Sequence, residues 1–227
     1  WSRTAEGGAP AEPLPAGLSS QAPDPSRPNV LLIVCESLCK RVLDSAAGQA
    51  AAPRYHAFLQ QERDAGRQAG FPHALANSTS SDIAYSSLFT GLSPDQPWER
   101  FHRNPLLWDV AKARGYATSL YTSQSLSWCH LGDFLLSPSL DRAVYREALG
   151  EPAANDLAMD DRVLNRYVTT ELPLASAPFF SVVNHNMLHA PFSVKADGKA
   201  PGASSALEDY LRALRLFDTC FGEVLDS

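Results

Sequence analysis

Asn29-Val-Leu-Leu-Ile-Val-Cys35 is a short, continuously apolar run rich in β-branched side chains. Such a run suits a strand covered on both faces inside a parallel sheet. Ahead of it, residues 1–28 carry prolines at 10, 13, 15, 23, 25 and 28, with Ala, Gly and Ser between them. That composition cannot bury a face, so a flexible or extended linker is expected there, with the folded domain covering 29–227. Beyond the run, a helical pattern occupies Tyr55–Gly66 and a short strand is expected over Phe71–Asn77. The polar cluster Asn77-Ser-Thr-Ser-Ser-Asp82 then enters a helix through Ile83, Tyr85, Leu88 and Phe89, stopped by Thr90-Gly91 with Pro94 beyond. Leu106–Arg114 predicts a helix, Tyr116–Thr122 a strand, Asp160–Leu172 a helix and Pro178–Asn184 a strand. Ala206–Leu225 predicts the longest helix, since Leu207, Tyr210, Leu211, Leu214, Phe217, Phe221, Val224 and Leu225 recur at the spacing of one buried face. Strands alternating with helices imply an α/β fold, a mostly parallel central sheet with helices on both faces. Chemistry is then expected at the carboxyl ends of the strands.

The composition narrows the class. Of 227 residues, 44% are hydrophobic and 19% charged, which is globular. Nineteen Lys and Arg stand against 25 Asp and Glu, a net charge of −6 with no basic stripe, so a nucleic-acid partner is not expected. No apolar run approaches the length of about 18 residues that a membrane span requires. The chain opens on Trp1 with no apolar leader, as expected for a piece of a longer protein whose other segments supply an anchor. Cys35, Cys39, Cys129 and Cys220 allow three pairings and lack the paired spacing of a zinc cluster, while Cys35 and Cys39 end an apolar run, where buried free thiols are common.

Three groups follow the expected strands. Glu36 comes directly after the first, the hydroxyls of residues 78–81 after the second, and His185 and His189 after Pro178–Asn184. An acid, a hydroxyl at a helix start and two histidines on one sheet edge would suit a metal-assisted nucleophile. The helix start also favours a phosphate or sulfate group. Each residue has a plainer alternative: Glu36, Ser80, Ser81 or Asp82 as helix caps, and the histidines as surface residues like His56, His73, His102 and His130.

Together the segments resemble a family. Arg27-Pro-Asn-Val-Leu-Leu-Ile-Val-Cys-Glu-Ser-Leu38 resembles the first strand and metal acid of the alkaline phosphatase–sulfatase superfamily. Ser81-Asp-Ile-Ala-Tyr-Ser-Ser-Leu-Phe-Thr-Gly-Leu-Ser-Pro94 is similar to its nucleophile helix, which ends in Leu-x-Thr-Gly. Gly115-Tyr-Ala-Thr118, Pro178-Phe-Phe-Ser-Val-Val183 with His185-Asn-Met-Leu-His-Ala-Pro-Phe192, and Tyr210–Asp218 resemble later segments in the family's order. The resemblance implies that Glu36 is a metal ligand and that Ser81 is both nucleophile and ligand. It implies that His189 binds phosphoryl oxygens or protonates the leaving group, with His185 supporting it. Trp128 and, more weakly, His130 are substrate-pocket candidates. Ser80 is the alternative nucleophile, because Ser80-Ser81-Asp82 resembles the Thr-Ser-Asp of the lipoteichoic acid branch. The implied cofactor is one divalent ion, Zn, Mn, Mg or Ca.

Departures from the pattern refine the expectation. The Cys/Ser-x-Pro-x-Arg signature of formylglycine sulfatases is missing after Ser81, and Glu36 is followed by Ser37 rather than a second acid. A single acid with a plain hydroxyl is the pattern of the phosphotransferase branch, which includes lipoteichoic acid synthases and phosphoethanolamine transferases. A membrane-anchored enzyme is therefore expected, with this domain periplasmic or extracellular, moving a phosphorylated head group from a lipid. A soluble phosphate or sulfate ester hydrolase and a non-catalytic binding domain are the alternatives. The superfamily's Asp-His-Gly motif is absent, and truncation before that strand is the expected reason.

Overall fold

The computed structural model describes residues 21–71, 74–155, 157–192 and 205–227. Strand β1 (Val30–Cys35) is followed by three short helices, α1 (Lys40–Leu43), α2 (Ala46–Ala51) and α3 (Pro53–Asp64). Helices α4 (Ser81–Thr90), α5 (Trp98–Arg103) and α6 (Leu107–Ala113) lead to β2 (Ala117–Thr122). Then come α7 (Leu131–Leu135), β3 (Arg142–Val144), α8 (Arg146–Leu149), α9 (Asp161–Glu171), β4 (Phe179–His185) and α10 (Ala206–Asp226). The strands form one parallel sheet in the order β1-β4-β2-β3. β4 runs between β1 and β2, with Val30 opposite Phe180, Cys35 opposite His185, and Thr122 opposite Asn184.

Alternation along the strands sorts two apolar layers. Leu32, Val34, Leu120 and Val182 meet Tyr85, Phe89, Phe101, Trp108 and Phe134 of α4–α7. Leu31, Ile33, Tyr121 and Val183 face the opposite side, toward α9 and α10. On α10, Tyr210, Leu214, Phe217, Phe221 and Val224 are buried as their spacing predicts, while Leu207 and Leu225 near its ends stay exposed. The Ser205 hydroxyl accepts from the Glu208 N–H and the Glu208 carboxylate from the Ser205 N–H, a reciprocal cap that starts this helix.

The expected strand over Phe71–Asn77 does not form where the chain is described. Phe71 is 85% and Leu75 92% exposed, so the apolar side chains that suggested a strand have no sheet to cover. β3 was not legible, because three residues beginning with Arg142 carry no periodicity. The linker expected over 1–28 lies outside the described residues up to position 20. Residues 21–28 run along the domain, with the Gln21 N–H donating to the Ala113 carbonyl at 2.8 Å. Gly115 admits that segment: its φ is +80°, and a Cβ there would lie 2.6 Å from the Ala22 carbonyl oxygen.

Gly48 on α2 carries a similar constraint, since a Cβ would sit 2.0 Å from the Val42 carbonyl oxygen. In a helix, Gly→Ala ordinarily gains about 0.5–1 kcal/mol. Here Gly48→Ala is expected to lose about 1–3 kcal/mol instead, by overpacking against backbone. The urea midpoint of the variant checks this, and an increase would contradict it.

Candidate functional site

The carboxyl end of β1 delivers Glu36. Its backbone N–H donates to the His185 carbonyl at 3.0 Å, extending the β1–β4 ladder by one residue. The chain then turns sharply at Ser37, whose φ is +60°. Tyr210 of α10 pins that turn: its hydroxyl donates to the Ser37 carbonyl at 3.1 Å and accepts from the Cys39 N–H at 2.7 Å.

Across the edge stands the first residue of α4. Ser81 Oγ donates to Glu36 Oε1 at 2.5 Å, although 45 positions separate the two residues. One turn further along α4, the buried Tyr85 donates to Glu36 Oε2, also at 2.5 Å. Behind Tyr85, Asn184 at the end of β4 donates from Nδ2 to the phenol oxygen at 3.1 Å and to Thr122 Oγ1 at 3.0 Å. Burial first, then the Glu36 charge, push the Tyr85 phenol well above its ordinary pKa, so it stays protonated. Gly91 in the left-handed conformation closes α4, and Phe89 anchors it against Trp108 at 5.1 Å between ring centroids. The site thus stands on a helix fastened to the sheet by aromatic packing.

Not every expected residue joins this pair. Ser80 precedes α4, exposed, and its hydroxyl turns to Asp82 Oδ1 instead of Glu36. His189 lies in the turn beyond β4, half-buried, with Nδ1 2.6 Å from the Ala190 carbonyl. Asp161 at the start of α9 braces that turn by accepting from the Asn186 N–H at 3.1 Å. Its own burial raises its carboxyl to about 7. Trp128 belongs to a 3₁₀ turn past β2, half-buried against the α4–α7 layer, and His130 is exposed 3.7 Å from Asp133. All four cysteines are free thiols.

His185, expected beside the substrate, points through the other face of the sheet. Strand alternation sends Asn184 toward Tyr85 and its neighbour toward α10, where the imidazole meets Phe217 edge-on at 6.4 Å. The ring is fully buried, with no hydrogen-bond partner for either nitrogen among the described residues. Desolvation lowers it from 6.5 to about 4. Between those values the unfolded chain binds a proton that the folded one refuses. His185 therefore adds no protonation penalty above pH 6.5 and destabilises progressively as the pH falls toward about 4. His185→Leu is expected to unfold less readily than wild type, relative to their difference at pH 7, as acid is added across that window. Denaturant melts at several pH values measure it, and parallel curves would contradict it.

Glu36 and Ser81 offer one hard divalent ion two oxygen donors close enough to share it, in keeping with the carboxylate and hydroxyl chemistry such ions take. Two donors do not complete a shell. Among the described residues no group of three or more His, Cys, Asp or Glu converges on one point.

A model of the sulfatase family matches residues 28–227. No protein of curated function matches the sequence. A protein in the alkaline phosphatase superfamily from Vibrio parahaemolyticus is similar in structure at a TM-score of 0.65 and 19% identity, over 92% of this chain and 51% of its own. The lipoteichoic acid synthase LtaP from Listeria monocytogenes matches at 0.65 and 15%, over 88% of this chain and 51% of its own. The C-terminal periplasmic domain of EcEptC from Escherichia coli, in complex with Zn, matches at 0.59 and 16%, over 88% of this chain and 58% of that domain. The chain therefore spans about half the length of these structures, and identities this low speak to the fold alone. Among the described residues no helix is long and apolar enough to cross a membrane.

Proposed function

The chain belongs to the sulfatase family, and on that premise we propose that it forms part of the catalytic domain of an enzyme that opens phosphate or sulfate esters with Ser81. One observation carries the reading: Ser81 Oγ lies 2.5 Å from Glu36 Oε1 at the carboxyl edge of the parallel sheet. That edge is where open α/β sheets bind ligands. Ser81 Oγ, its proton released to water, attacks the phosphorus as the bond from phosphorus to the ester's alcohol breaks, and the alcohol leaves with a proton. The phosphorylated group then rests on Ser81 until an acceptor hydroxyl takes it, which splits one displacement into two. Glu36 and Ser81, with ligands outside the described residues, would hold a Zn, Mn, Mg or Ca ion, whose chemistry is to polarise the hydroxyl and neutralise charge on the phosphoryl oxygens. His189 contacts those oxygens or supplies the leaving-group proton, and Trp128 lines the pocket further out.

The donor we propose is a lipid carrying a phosphorylated head group, handled by a domain outside the cytoplasm and tethered to the membrane by other segments of the protein. Supporting this are the similarity to a lipoteichoic acid synthase and to a periplasmic domain, together with a single acid followed by Ser37. The test is metal analysis and turnover of the full-length protein with lipid and small-ester donors, beside Glu36→Ala. Head-group transfer from a lipid that Glu36→Ala abolishes is expected. Release of phosphate or sulfate from small esters alone would make it a hydrolase, and full turnover by Glu36→Ala would overturn the site.

A further inference from the structure

Tyr85 follows Ser81 by four positions, one turn of α4, so both hydroxyls leave the same side of the helix. That one helix consequently holds both oxygens of Glu36, Oε1 through Ser81 and Oε2 through Tyr85. The phenol has a single hydrogen to give. Asn184 decides its direction, because the amide donates to the phenol oxygen at 3.1 Å, while the contact to Asn184 Oδ1 is longer at 3.4 Å. With its accepting side filled, the phenol directs its hydrogen to Glu36. Asn184 is in turn fixed by β4, where it lies opposite Thr122 and donates to that side chain as well.

The charge pattern gives this arrangement a purpose. No Lys, Arg or His forms an ion pair with Glu36 among the described residues, and its side-chain partners there are two neutral hydroxyls. An Arg in the place of Tyr85 would fix the carboxylate equally well but cancel its charge. A phenol fixes the group and leaves the charge available to a cation.

We infer that Tyr85, backed by Asn184, is a positioning residue that restrains Glu36 Oε2 so that Oε1 alone is presented to Ser81 and to a divalent cation shared with it. This deepens the reading of the same site and rests on it. Tyr85→Phe removes one oxygen and leaves the ring stacked 5.8 Å from Phe89, so the fold should be retained, with the melting temperature lowered by a few degrees for the hydrogen bonds lost to Glu36 and Asn184.

The experiment measures Mn²⁺ binding by full-length protein, from the free-ion paramagnetic resonance signal, and steady-state kinetics with a nitrophenyl phosphodiester. The proteins are wild type, Tyr85→Phe, Glu36→Ala and the double variant. Tyr85→Phe is expected to weaken Mn²⁺ binding and lower kcat by about 10- to 100-fold, with KM unchanged. In the Glu36→Ala background it should have no further effect on binding, because the group it restrains is gone. Asn184→Asp replaces the donor with an acceptor that competes for the phenol hydrogen, and it should reproduce the loss. Wild-type binding and kcat in Tyr85→Phe overturn the inference, as does an undiminished loss in the double variant, the mark of general damage. If Glu36→Ala is inactive while Tyr85→Phe behaves as wild type, only the role of Tyr85 fails. If Glu36→Ala itself binds Mn²⁺ and turns over normally, the underlying site fails.

Discussion

Ser81→Ala should lower turnover of the full-length enzyme by about a thousandfold or more, the scale of losing a nucleophile, while the protein still folds. Ser81 is the first helical residue of α4, and the cap position before it is held by Ser80. What the fold loses is one half-buried hydrogen bond to Glu36, on the order of 1–2 kcal/mol for a charged acceptor. Ser80→Ala is the control that separates the two adjacent hydroxyls. Its hydroxyl bonds Asp82 at the surface of the same turn and makes no bond to Glu36. Turnover should therefore survive in Ser80→Ala, with at most about 1 kcal/mol lost from the helix start. Steady-state rates and urea melts of both variants make the comparison. The opposite pattern, with Ser80→Ala inactive and Ser81→Ala active, would move the nucleophile back one residue.

The largest effect on stability is expected from Phe89→Ala. Phe89 is buried between Tyr85, stacked at 5.8 Å, and Trp108 at 5.1 Å. Its removal leaves a hole between α4 and α6 that neither ring closes without leaving its own contacts. Truncating a buried phenylalanine costs about 3–5 kcal/mol. The consequence should reach the site, because the same helix carries Ser81 and Tyr85. Denaturant unfolding measures the cost, and a loss below about 1 kcal/mol would contradict this account of the packing.

How much of this was legible in the sequence depends on what kind of signal each residue carries. Phe179–His185 announces itself as a strand inside a parallel sheet, and Val30–Cys35 does so from the end of the strand order because helices cover both of its faces. α10 does so through its periodicity. The proximity of Glu36 and Ser81 could be anticipated only from topology, because nothing local links residues 45 apart. Tyr85 was legible as an apolar contact of its helix and missed as a hydroxyl. Its four-residue offset from Ser81 was the available signal, and it needed the position of Glu36 to give it meaning. His185 was misjudged because two histidines four apart suggest one shared loop. The period-two alternation of β4, extended by one residue, turns the first into the core beside Phe217. Phe71 and Leu75 failed for the reverse reason, as apolar residues that the fold leaves in solvent. Asn184 gave no sign at all, since an amide at a strand end acquires its role from the neighbouring strand and helix.

The central claim is that Ser81, held by Glu36, carries the transferred group. Its most direct test is mass spectrometry of full-length protein quenched during turnover of a phosphodiester donor, digested and sequenced across residues 77–90. A phosphoryl-containing adduct on Ser81 is expected, absent in Ser81→Ala and not accumulating in Glu36→Ala. An adduct on Ser80, or turnover by wild type with no adduct in this peptide while the donor is saturating, would contradict it.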